Sequence, residues 1–126
     1  MIDHISVGVK NLTRSMKFYD AAMDALGYKR YMTFPDDSCG YGTPDDRFFW
    51  IVKAQDKGNV IAQGMHVAFK AKSRTAVDKF YQAAIAAGGK DNGKPGLRPN
   101  YHPDYYAAFV IDLDGHKIEA VCHLPA

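Results

Sequence analysis

Cysteine is scarce in this sequence: Cys39 and Cys122 are the only two among 126 residues, and they form no CxxC pair. Both read as reduced thiols serving as small buried hydrophobes rather than as a disulfide framework. No apolar run approaches the roughly 20 residues that a membrane-spanning helix needs. Neither charge sign dominates, since 16 Lys and Arg against 14 Asp and Glu leave a formal charge of +2. The basic residues are scattered, with no run longer than Lys29-Arg30, so the basic stripe that drives nucleic-acid affinity is missing. There is no Walker loop, no GxGxxG after a strand and no nucleophile elbow. Asp112-Leu113-Asp114-Gly115 imitates the opening of a calcium loop. Its glycine is misplaced and the later bidentate glutamate is absent, so a turn explains it better. Met1 runs straight into Ile2-Asp3-His4-Ile5, which reads as a strand and not as a charged leader with a signal core. These absences predict a cytoplasmic protein that binds neither membrane nor nucleic acid.

What is present is a hydrophobic fraction of 47%, with 13% aromatic residues, enough for a core without covalent staples. The chain also repeats itself. A shift of 62 positions lays His4 on His66, Phe18 on Phe80, Tyr19 on Tyr81, Ala22 on Ala84 and Gly27 on Gly89, and internal self-similarity of this kind signals a duplicated unit. Each half opens with period-two alternation, His4 to Val9 and His66 to Lys70, the pattern of a half-buried strand. Helical spacing follows, through Leu12, Met16, Tyr19, Met23 and Leu26 and then through Val77, Phe80, Ala84 and Ala87. Asn11 or Thr13 is placed to cap the first helix and Ser73 the second, while Gly27 and Gly88-Gly89 suit helix ends.

Further strands are predicted over 29–34, 38–41, 48–52, 105–111 and 117–122, with turns at 42–46 and 112–116. Residues 88–103, rich in glycine, proline and asparagine, read as a long surface loop around one short strand. The fold class is α+β: two tandem βαβββ modules, 1–54 and 64–126, joined by a linker over 55–63 and forming a curved mixed sheet around a cleft.

The repeat singles out three side chains. His4 and His66 begin equivalent strands, so pseudo-symmetry sets them opposite one another across the cleft, and Glu119 sits inside the apolar strand Ile118 to Cys122. A carboxylate there is costly to bury unless paired or ligated. Two imidazoles and a carboxylate make a facial triad suited to a divalent metal such as zinc, manganese, iron or nickel.

At this point the sequence resembles the vicinal oxygen chelate superfamily, which includes glyoxalases, extradiol dioxygenases, fosfomycin-resistance thiol transferases and bleomycin-resistance proteins. The likeness covers the whole chain and rests on Asp3-His4-Ile5, on Arg14 to Tyr19, and above all on Ile111-Asp112-Leu113-Asp114-Gly115-His116-Lys117-Ile118-Glu119. It implies that His4, His66 and Glu119 hold one divalent metal that chelates two oxygens of a small substrate. One departure is informative. A shift of 69 lays Trp50 on Glu119, where glyoxalase-type sites carry a carboxylate, which disfavours glyoxalase I activity. Lyase or isomerase, thiol-transfer and dioxygenase chemistry all stay open.

Around that centre, Trp50 is a candidate stacking wall for a planar ligand. His102 is a candidate general acid or base, Tyr101 or Tyr105 a hydrogen-bond donor to a substrate oxygen, and Arg98 a steering charge for an anionic substrate. The alternative function is a metal-free protein that sequesters an aromatic compound, as bleomycin-resistance proteins do. The resemblance also implies a homodimer, with His4 of one subunit able to join His66 and Glu119 of the other.

Overall fold

The computed structural model describes every residue except Lys57, which lies within the expected linker and outside the described residues. The first module runs β1 (Ile5–Val9), α1 (Leu12–Ala25), β2 (Lys29–Phe34), β3 (Ser38–Thr43) and β4 (Asp46–Lys53). The second runs β5 (His66–Lys70), α2 (Arg74–Ala86), β6 (Lys90–Leu97), β7 (Tyr106–Ile111) and β8 (Lys117–Cys122). Each module builds its own four-stranded mixed sheet, in the orders β1-β4-β3-β2 and β5-β8-β7-β6. The first strand of each pairs in parallel with the last, and the remaining ladders are antiparallel. Two βαβββ units result.

The helices begin where their caps are strongest. Asn11 accepts from the Arg14 amide and Ser73 from the Ala76 amide, each satisfying a donor of the open first turn. Both helices end on a left-handed glycine, Gly27 (φ 85°) and Gly88 (φ 105°). The caps are 62 residues apart but these glycines only 61, so α2 is one residue shorter and the repeat slips by one at its end. The apolar stripe of α1 buries Phe18, Tyr19, Ala22 and Met23, and that of α2 buries Val77, Phe80 and Ala84. The two helices pack on each other and against one face of the sheets, in a core continuous through Phe49 and Phe69, whose rings meet edge-on at 5.0 Å. Fully burying each such ring contributes about 1.5–3 kcal/mol. The opposite faces of both sheets are left for the site.

The segment 88–103 departs from expectation. Eight of its residues, Lys90–Leu97, form β6. Glycine and proline are tolerated there because β6 is the edge of its sheet and its register breaks around Gly93 and again before Gly96.

The turn 112–116 clasps the two modules. Asp112 is buried and accepts from its own turn's amides at Asp114 (2.9 Å) and His116 (2.8 Å) and from the Tyr19 hydroxyl at 2.5 Å. Asp114 accepts from the Lys10 amide at 2.9 Å, and His116 Nε2 donates to the Gly8 carbonyl at 2.7 Å.

Candidate functional site

Side chains alternate along a strand, and this alternation sets the site. On β5, Val67 and Phe69 enter the core, which turns His66 to the open face. On β8, Ile118, Ala120 and Cys122 enter the core, which turns Glu119 to the same open face. His66 Nε2 and Glu119 Oε1 lie 3.2 Å apart. The imidazole is about half exposed, at 55%, whereas the carboxylate is 2% exposed. Glu119 Oε2 accepts a short hydrogen bond from the Tyr105 hydroxyl. Burial raises the Tyr105 pKa, and the bond to Glu119 raises it further, so the phenol stays a donor.

These groups line an open cleft of about 600 Å³, together with Met65, Asn92, Tyr101, His102 and Phe109. Phe109 stands opposite Glu119 in the β7–β8 ladder. The cleft thus joins two metal-capable donors, phenolic hydroxyls and an apolar wall.

The first module repeats this arrangement with a different chemistry. Trp50 pairs with Ser6, two residues after His4, as Glu119 pairs with Ala68, two residues after His66. Trp50 therefore occupies the place of Glu119. It stands across from Gly40, where a Cβ would meet the indole at 2.7 Å, and it stacks on the half-exposed Phe34 at 6.1 Å. His4 lies edge-on to Trp50 at 6.5 Å, and its Nδ1 is 2.6 Å from Asp3.

His66, Glu119, Tyr101, His102 and Tyr105 are brought together, and His4 and Trp50 are paired elsewhere in the chain. Among the described residues no three His, Cys, Asp or Glu side chains converge to hold an ion. Arg98 does not line the cleft: its guanidinium donates to the Lys94 and Gly96 carbonyls and lies over the Phe109 ring at 5.3 Å. Met65, Asn92 and Phe109 were not singled out by sequence. β7 is apolar from Tyr106 to Ile111, so no period marks Phe109 as facing the cleft, and Asn92 sits in the irregular edge strand, which carries no clean period either.

The sequence model of the Glyoxalase/Bleomycin resistance protein/Dioxygenase superfamily matches residues 1–120. The chain belongs to this superfamily. It is 31% identical over 130 residues to YqjT, an uncharacterized protein of Bacillus subtilis, covering 94% of this chain and 95% of that one. Its fold matches a glyoxalase/bleomycin resistance protein from Albidiferax ferrireducens with a TM-score of 0.83 and 32% identity, covering 98% of both chains. It also matches the fosfomycin resistance protein FosX from Listeria monocytogenes, with a TM-score of 0.68 and 16% identity over 97% of this chain and 92% of that one. That last likeness is one of fold alone.

The donor pair of this superfamily chain suits a divalent ion. Ligand atoms held about 2.0–2.2 Å from one ion stand about 2.8–3.6 Å from each other, the short end in octahedral and the long end in tetrahedral geometry. His66 Nε2 and Glu119 Oε1 are already at 3.2 Å. Glu119 is a buried carboxylate whose Oε2 is held by the Tyr105 hydroxyl, so an ion on the Oε1 side would complete its partners.

Proposed function

We propose that this chain is a metal-dependent enzyme acting on a small substrate with two adjacent oxygens. The observation that carries the reading is the buried Glu119 carboxylate, aimed at His66 Nε2 on the open face of the second module. A divalent ion held there acts as a Lewis acid on the substrate oxygens. Tyr105 keeps Glu119 oriented, Phe109 and Met65 exclude water from one side, and the exposed Tyr101 hydroxyl donates to the substrate from the rim.

The third ligand in this reading is His4 of a second copy. One chain leaves His4, Trp50 and Phe34 on an open sheet face, and the second module offers a cleft with two donors. Facing those surfaces across a homodimer supplies the missing imidazole and brings Trp50 over the cleft as a wall for a planar substrate. The chemistry within this class is lyase or isomerase, thiol transfer or oxygen insertion. Trp50 in the equivalent carboxylate position weighs against glyoxalase I.

Titrating metal-free protein with Mn²⁺ and Zn²⁺ tests the reading. Wild type is expected to bind one ion per site, and Glu119→Gln to bind at least about 100-fold more weakly. The second reading, a metal-free binder of aromatic compounds, is favoured by the Phe34–Trp50 stack. It predicts aromatic-ligand affinity that Glu119→Gln leaves unchanged.

A further inference from the structure

Beside the His66–Glu119 pair lies a second cluster of rings. His102 Nε2 and His123 Nδ1 are 2.7 Å apart, and the two imidazoles stack at 22° with centroids 5.0 Å apart. The Asp104 amide donates to His102 Nδ1 at 3.1 Å. Nδ1 is therefore an acceptor, and neutral His102 carries its proton on Nε2 and donates it to His123 Nδ1. Both nitrogens of His102 are spent within the chain, which leaves neither free for proton transfer with a substrate. What the pair does contact is Tyr105. That ring meets His102 edge-on at 5.4 Å and His123 edge-on at 5.2 Å, while Tyr101 closes a third side at 4.9 Å. From this cage the Tyr105 hydroxyl reaches Glu119 Oε2.

We propose that Tyr105 is a positioning residue that sets which oxygen Glu119 presents to the cleft, and that the hydrogen-bonded His102–His123 pair holds the Tyr105 ring in place. With Oε2 engaged by the phenol, Oε1 is the oxygen directed at His66 and the one that would meet an ion held there. The order of action is serial. His123 fixes the rotation of His102, the two imidazole edges fix the Tyr105 ring, and the phenol fixes Glu119. Partners outside the ligand set commonly change metal affinity by about 10–100-fold, and this chain of contacts rests on the metal reading above only for that last consequence. It also accounts for His123, an exposed residue just past β8 that no sequence pattern marks.

Three variants separate hydrogen bonding from packing. Tyr105→Phe removes only the hydroxyl. His123→Phe keeps an aromatic edge but removes the acceptor, whereas His123→Asn restores an acceptor oxygen near the place of Nδ1. In metal-free protein, the side-chain carboxyl ¹³C resonance of Glu119 reads the Tyr105 bond directly, and Mn²⁺ titration reads its consequence. The expected result is a shifted Glu119 resonance in Tyr105→Phe and in His123→Phe, with recovery in His123→Asn. Mn²⁺ binding should weaken about tenfold in Tyr105→Phe, and adding His123→Phe to it should cost no more. A Glu119 resonance unmoved by His123→Phe overturns the proposal, as do fully additive losses in the double variant. Wild type that takes up no Mn²⁺ sinks the metal reading instead, and the resonance then decides the positioning role by itself.

Discussion

At Glu119 a buried carboxylate sits on the cleft face of a strand that is apolar from Ile118 to Cys122 but for this residue, and its two oxygens meet one imidazole and one phenol. Burying an ionised group without partners is strongly unfavourable, so this residue was the most legible part of the site in the sequence: a lone acid among Ile118, Ala120 and Val121. The partners were less legible. Tyr105 reads in sequence as a donor to substrate, and only the packing of its ring shows that its hydroxyl goes to Glu119. Arg98 reads as a free charge, yet its guanidinium closes the irregular edge of β6 by binding carbonyls. Tyr19, unlike the part-exposed Tyr105, is a fully buried phenol. Burial, followed by the neighbouring Asp112 carboxylate, raises its pKa well above the ordinary value. Its folded-state pKa is raised, so the Tyr19–Asp112 bond stabilises fully below about pH 10, the unfolded phenol value, and that stability is lost as pH rises toward the folded value. Tyr19→Phe leaves Asp112 Oδ2 without this donor and should cost about 1–3 kcal/mol at pH 7 in urea unfolding. The same variant should lose less stability than wild type between pH 9 and 11 (about one unit either side of the phenol value).

The elements follow from local signals wherever a period is uninterrupted. Both helices start at the capping side chains the sequence offers, and Ser73→Ala should cost about 1 kcal/mol, measured by thermal or urea unfolding. The strands β1, β4 and β5 keep a clean alternation because one face meets the helices, whereas β7 and β8, central in their sheet, are buried at adjacent positions as well. The edge strand β6 keeps no alternation, since glycine, proline and asparagine erase both period and propensity, and only pairing with β7 shows it to be a strand. Gly40 is a case where the neighbour decides. Nothing in Cys39-Gly40-Tyr41 announces a close approach, but the Trp50 ring lies where a Cβ would be. Gly40→Ala should therefore displace the indole at a cost of about 1–3 kcal/mol. Because Trp50 is the chain's single tryptophan, its fluorescence reports the displacement directly. An emission spectrum unchanged by Gly40→Ala would contradict the packing described here.

For the molecule as a whole, the duplication was legible because both halves keep the same apolar faces, and the superposition of Trp50 on Glu119 emerges again in the strand pairing. What the repeat could not convey is distance within one chain. The turn 112–116 locks the second module to α1 and β1 of the first through Tyr19, Lys10 and Gly8. In that arrangement His4 stays with Trp50 while His66 stays with Glu119. On the proposed metal reading one site takes two copies, and gel filtration should show a dimer at working concentration. The measurement that tests this most directly is the metal content of protein purified without an affinity tag, for wild type and His4→Ala side by side. A site shared between copies predicts about one divalent ion per chain in wild type (two sites shared by two copies) and loss of that ion in His4→Ala, although His4 touches neither His66 nor Glu119 within its own chain. No ion in wild type after incubation with manganese, iron(II), nickel and zinc would contradict it, as would undiminished metal in His4→Ala.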